Sequence, residues 1–208
     1  MDVSKAFQCL CDKLENGYTV SALEQAQSFS KGASLYLKSL HTNDLDTSEF
    51  IKASNEVFNL SCGYYAFAQE SPILGYFALS HCISRSYWLY SAIRTIQAAM
   101  WAKQSNGVLT PLDANKIILS VRVKRYDFNK VMSYYRLARK DLSNNPERCR
   151  KRLCAALDEL GCSIDYDYMP EGVKVPCKEA FHVLYHESLG VQLDIIGSVL
   201  GILGIEGI

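Results

Sequence analysis

No run in this chain of 208 residues is uncharged for long enough to cross a bilayer. The longest in its most apolar segment, Ser71 to Ser84, has 14 residues, where a spanning helix needs about 20. The apolar run from Ile195 to Ile205 is shorter still. Proline is scarce, at five residues, and twelve glycines are scattered, which argues against low complexity. No CxxC pair occurs among the eight cysteines. Cys9 and Cys11 lie two apart, Cys62 and Cys82 sit in strongly apolar helical sequence, and Cys149, Cys154, Cys162 and Cys177 follow no ligand spacing. The opening MDVSKAFQCLCDKLE carries Asp2, Asp12 and Glu15 and does not read as a secretory signal. Reduced, buried thiols and a cytoplasmic location are the expectation.

Recognisable catalytic patterns are missing too. There is no Ser/His/Asp order, no phosphate-cradling glycine loop and no paired-carboxylate motif. Cys9-Gln-Cys11 has no base beside it in sequence. No catalytic residue and no cofactor is therefore assigned.

What the chain does have is helical periodicity. Pro72 to Gln104 is 33 residues long, with 20 apolar and no acidic residue. Ser71 can cap it, and Pro72 suits a first turn whose N–H groups lack partners anyway. Asn106-Gly107 supplies a stop. Its apolar side chains spread over most of the circumference, so neighbours must bury it on several sides. Gly75 and Ser84-Arg85-Ser86 are the places where it would break.

Around it the pattern predicts a helix over Val3–Glu15, closed by Asn16-Gly17. A second runs from a capping box at Ser21-Ala22-Leu23-Glu24 to about Leu40. A third runs from Thr47 to about Gln69, its second half increasingly buried through Tyr64, Tyr65 and Phe67. Thr110-Pro111 and Asn145-Pro146 repeat the cap-then-proline signature, with a helix between them at about Phe128 to Leu142. Leu119 to Val123 alternates like a short strand, and Cys162 to Val175 reads as loop. Two final helices are expected at Lys178–Leu189 and Val191–Leu203. The fold class expected is all-α: a single domain over 1–208, a bundle of about seven to nine helices around the long helix of residues 72–104. Residues 176–208 are a candidate docking or dimerisation segment.

Net charge is zero, yet charge is segregated. Arg122, Lys124, Arg125, Lys130, Arg136, Arg139, Lys140, Arg148, Arg150, Lys151 and Arg152 face only Asp127, Asp141 and Glu147, a balance of +8 over 122–152. From Leu153 onward nine acids outnumber Lys174 and Lys178, a balance of −7. Arg136, Arg139 and Lys140 share a helical face, as do Arg148, Lys151 and Arg152. Such a surface meets phosphates, with Tyr126, Tyr134 and Tyr135 available to stack on bases. The plainer reading is that these helices pair with the acidic C-terminal segment of the same chain or are merely solvated, and an acidic protein partner is a further one.

His182 and His186, four apart, would share one face of an α-helix and hold a metal, with Cys177, Glu179 or Asp194 as third ligand. The competing reading is an amphipathic helix with two half-exposed histidines. His81 and Arg85, also four apart, either line an internal pocket or make structural bonds to Glu70 or Glu56. Gly197, Gly201 and Gly204 punctuate an apolar tail. Repeated glycine inside a helix costs about 1 kcal/mol each, which points to close approach at a buried or self-associating contact.

Ser71-Pro-Ile-Leu-Gly-Tyr-Phe-Ala-Leu-Ser-His-Cys-Ile-Ser-Arg85 resembles the aromatic-small-apolar helix of the HEPN superfamily of bacterial all-α proteins. The resemblance covers about fifteen residues and implies an association with nucleic acid. The superfamily's ribonuclease signature places an arginine four to six residues before a histidine. None of His41, His81, His182 or His186 has one.

The leading expectation is a non-enzymatic protein that binds another protein and self-associates, in an adaptor, chaperone or immunity-like role. The alternative is nucleic-acid binding through the 122–152 face, and the second alternative is a metal site at His182 and His186.

Overall fold

Asp2 opens the first helix: its carboxylate accepts the Ser4 N–H at 3.0 Å, and α1 follows over Val3–Glu15. Gly17 then takes φ +74°, the left-handed region glycine enters freely. The computed structural model describes residues 2–40, 47–106, 128–163 and 178–204. Its elements are α1, α2 (Thr19–Ser39), α3 (Ser48–Phe67), α4 (Pro72–Asn106), α5 (Asn129–Asp141), α6 (Pro146–Cys162), a 3₁₀ helix (Lys178–His186) and α7 (Leu189–Ile202). Every element among the described residues is helical, so the all-α bundle and its helix number stand. No described helix is long and apolar enough to cross a membrane. The Pro111 helix, the Leu119–Val123 strand-like run and most of the 162–175 loop lie outside the described residues.

One expected boundary moves and one expected burial pattern fails. α2 begins at Thr19, so Ser21 lies inside the helix and its capping box is unused. Once Gly17 reverses the chain, the Tyr18 carbonyl already accepts the Ala22 N–H at 2.8 Å, and the helix is under way. The second half of α3 is not increasingly buried. Its inward stripe is Phe50, Ala53, Ser54, Val57, Leu60 and Ser61, while Phe58 and Tyr65 fall off that stripe and are exposed.

α4 is continuous over 35 residues. Among its described side chains the large apolar ones are buried or half-buried, except Tyr76 and Trp101, which are exposed. Ser84 and Ser86, where a break was open to the sequence, are buried within it, as is Ser80. Ser80 and Ser86 return their hydroxyls to the carbonyls of Tyr76 and Cys82, four residues back. A buried hydroxyl satisfied within its own helix neither needs a foreign partner nor interrupts the ladder.

The described residues form two compact units. In the first, built from 2–40, 47–61 and 82–106, α1 packs along α2. Phe7 is surrounded by Phe29, Tyr87 and Tyr90 at ring distances of 5.4, 4.9 and 4.0 Å. Trp88 stacks on Phe50 at 5.6 Å. Ser30 and Ser54 exchange hydroxyl hydrogen bonds with each other's carbonyls, joining α2 to α3 at close range. The second unit holds 62–81, 128–163 and 178–204. There α5 lies along α6, and α6 carries the 3₁₀ helix and α7. Phe181 meets Phe77 edge-on at 5.8 Å. All seven described cysteines are free thiols.

Candidate functional site

The basic segment is largely occupied by its own surroundings. Asn145 caps α6 as its sequence predicts, accepting the Arg148 N–H at 3.0 Å with Pro146 in the first turn. That turn aims Arg148 back at Asp141, the last residue of α5. Arg148 donates to the two Asp141 oxygens at 2.9 and 3.0 Å, and Arg152 reaches the same carboxylate at 2.5 Å. Arg152 also donates to the Leu137 carbonyl. Lys151 pairs with Glu147 at 2.9 Å and Lys130 with Glu159 at 3.1 Å. Arg150 donates to the Tyr185 and Glu187 carbonyls. Glu159 is the one acid of the C-terminal acidic segment in these ion pairs; Asp141 and Glu147 come from the basic segment itself. Arg136, Arg139 and Lys140 lie on the exposed face of α5, with Arg139 over the Tyr135 ring at 5.8 Å. Arg122, Lys124 and Arg125 lie outside the described residues.

Asp141 is buried, and the Arg148 guanidinium holds its carboxyl below the usual carboxylate range. A depressed acid stabilises the fold above its unfolded pKa, about 3.9, and that contribution fades as pH falls through the lower folded value. Asp141→Asn should therefore lower the urea midpoint at about pH 7 and leave a smaller gap from wild type at about pH 3. Equal gaps at both pH values would show that the carboxylate charge is not what holds the α5–α6 corner.

The expected α-helix at Lys178–Leu189 is a 3₁₀ helix ending at His186. The cause lies in its last carbonyls. The Gln192 amide donates to the carbonyls of Leu184, Tyr185 and Glu187 at 2.8, 3.0 and 3.3 Å. Arg150 takes two of the same groups, so the amides one α-turn onward are not needed there. The Glu187 N–H closes on the Leu184 carbonyl, three residues back. At three residues per turn, positions four apart are rotated by about 120°, so His182 and His186 do not share a face. His182 lies 3.4 Å from Asp158 instead, and the Tyr185 hydroxyl donates to that same carboxylate. Burial, and then the bond to Asp158, push the Tyr185 phenol upward. Among the described residues no three His, Cys, Asp or Glu side chains are grouped to hold a metal ion; Cys177 lies outside them.

His81 and Arg85 make structural bonds. Arg85 reaches Glu56 at 3.3 Å, one of the two partners expected. His81 bonds Ser163 rather than Glu70, at 2.9 Å. Since the Ser163 hydroxyl is donated to the Leu160 carbonyl at 2.6 Å, the His81 Nε2–H supplies the proton of that bond.

The three tail glycines have different roles. A Cβ on Gly197 would meet the Tyr135 hydroxyl at 2.8 Å, so the close approach is a tyrosine of α5. Gly204 has φ +64° and ends α7, while Gly201 is exposed with open space before it.

A groove of about 500 Å³ lies within the second unit, and sequence reasoning did not find it. Phe67, Pro72, Ile73 and Leu74 form one wall, where α3 turns into α4. Val183, Leu184, Val191 and Ile195 form the other. Its lips are apolar: Val183 is 62% exposed and Val191 41%. Three exposed carboxylates, Glu70, Glu187 and Asp194, line it, with no lysine, arginine or histidine in the lining. Neither wall has a signature of its own, because the site exists only once residues 67–74 and 183–198 are brought together. No protein-family model, curated protein or solved structure matches this chain.

Proposed function

We propose that this protein works by binding another protein rather than by catalysis. The observation that carries this reading is the open apolar groove of the second unit. Aliphatic side chains exposed at the mouth of a concavity cost free energy in water until a partner covers them. The basic segment weighs in the same direction. Arg148, Lys151, Arg152 and Lys130 already hold carboxylates, which leaves less charge for phosphates than composition suggests. Seven free thiols suit a reducing compartment, the cytoplasm. Self-association belongs to the same reading, with the exposed Gly201 face of α7 as its contact.

Nucleic-acid binding is the second reading, favoured by one observation. Arg139 and Lys140 stand exposed on α5 without an ion pair among the described residues, beside Arg136 and the half-buried Tyr134. Chromatography with light scattering and absorbance at two wavelengths, on protein prepared at low salt, separates the two. The expected result is a peak free of nucleic acid, and heparin retention nearly unchanged in Arg136→Glu/Arg139→Glu/Lys140→Glu. Co-purifying nucleic acid that this variant loses, with the slope of log affinity against log salt falling by about 3, would overturn the protein-binding reading.

A further inference from the structure

We infer that the groove of the second unit is a receptor for an amphipathic helix of a partner protein, one whose apolar stripe is flanked by lysine or arginine. The inference rests on the protein-binding reading and names its partner. Three features of the groove select this occupant. Its two walls are helical and both are apolar, so an inserted segment must present side chains from one stripe, as a helix does at i, i+3 or i+4, and i+7. Val183 and Val191 stand exposed at the lips, where the flanks of such a stripe would lie.

The third feature is charge. Glu70, Glu187 and Asp194 are exposed in the lining, and no described residue forms an ion pair with any of them. Three uncompensated carboxylates around an apolar floor repel an acidic helix and attract a basic one, and this sets both the rate of encounter and the choice of partner. The protein's own exposed basic helix is a poor match. Beside Arg136, Arg139 and Lys140, α5 exposes Leu137 as its one large apolar residue, which makes no stripe. The occupant is therefore sought outside the chain.

The test is a selection on the full chain from displayed helical peptides of about 18 residues, long enough to hold helix when docked. Each carries apolar residues at i, i+3, i+4 and i+7, with the other positions drawn evenly from Lys, Arg, Asp, Glu, Ser and Gln. Enriched peptides should carry an excess of Lys and Arg and bind more weakly as salt rises. They should lose about tenfold in affinity, near 1.4 kcal/mol, against Glu70→Gln/Glu187→Gln/Asp194→Asn. They should not bind Val183→Asp, whose site is exposed enough for the fold to be kept, as circular dichroism would check.

Enrichment without a positive bias, or no enrichment, overturns the inference. So does a concentration-dependent dimer by light scattering that the triple neutralisation abolishes, since the occupant would then be a second copy. Basic peptides that bind Val183→Asp as well as wild type would sink the groove and leave the protein-binding reading standing at another surface. No peptide at all, with nucleic acid retained on α5, would remove both.

Discussion

Phe181→Ala should cost about 3–5 kcal/mol and abolish the groove in the same step. Phe181 is fully buried and its ring lies edge-on to Phe77, itself buried, at 5.8 Å and 87°. Truncation removes an aromatic side chain from a packed core and leaves a cavity that neighbouring backbone only partly refills. The 3₁₀ helix has few other apolar anchors, since Val183 is exposed and Leu184 is its one other buried apolar residue. Its remaining ties are polar: Gln192 and Arg150 on its carbonyls, and Tyr185 on Asp158. Urea unfolding should show a lower midpoint with an unchanged slope, and amide exchange over residues 178–187 should accelerate beyond the global loss. Val183→Ala, on the same element but in solvent, should stay within about 0.5 kcal/mol of wild type. A loss below about 1 kcal/mol for Phe181→Ala would mean that the polar ties alone hold the segment.

Ser30→Leu should be the comparable event in the first unit, at about 3 kcal/mol or more. Ser30 and Ser54 are buried, and each hydroxyl donates to the other residue's carbonyl, at 2.5 and 2.6 Å. Such distances exist only where two helix backbones come close together. Leucine would lose the Ser30 hydroxyl bond, strand part of the Ser54 network and force α2 from α3 to make room. Ser30→Ala removes the bond without adding volume and should cost about 1 kcal/mol. Thermal melts of the two variants side by side are the measurement. If alanine were as harmful as leucine, hydrogen bonding rather than close approach would govern the contact.

These serines also show what was legible in the sequence and what was not. Val3–Glu15, the Asn145-Pro146 start of α6 and the Pro72 start of α4 follow from local chemistry, a cap and a proline in the first turn. The continuity of α4 past Gly75 and Ser84-Arg85-Ser86 was not legible. The unused capping box at Ser21 was a local signal outcompeted by another, the reversal at Gly17 two residues before the helix. Ser86 reads as part of a polar interruption, yet it is buried because its hydroxyl finds a carbonyl, as the hydroxyls of Ser30, Ser54 and Ser80 do. The 3₁₀ helix was illegible, since it depends on Gln192 and Arg150 reaching carbonyls from other elements. The groove was illegible for the same reason, its walls being distant in the chain. The basic segment was half legible: its charge was plain, but its commitment to Asp141 required knowing how α6 returns along α5. No linker marks the two units because their stretches alternate along the chain.

That alternation governs how the protein is made. No contiguous stretch of the gene encodes either unit, so neither can be expressed as a simple truncation. On the ribosome, Leu74, Phe77 and Leu79 emerge long before residues 128–163 and 178–204, which complete their unit. At typical elongation rates the wait between Phe77 and Phe181 is on the order of ten seconds. Through that interval the front of α4 is an apolar helix without its partners, a natural client for whatever shields unfinished chains.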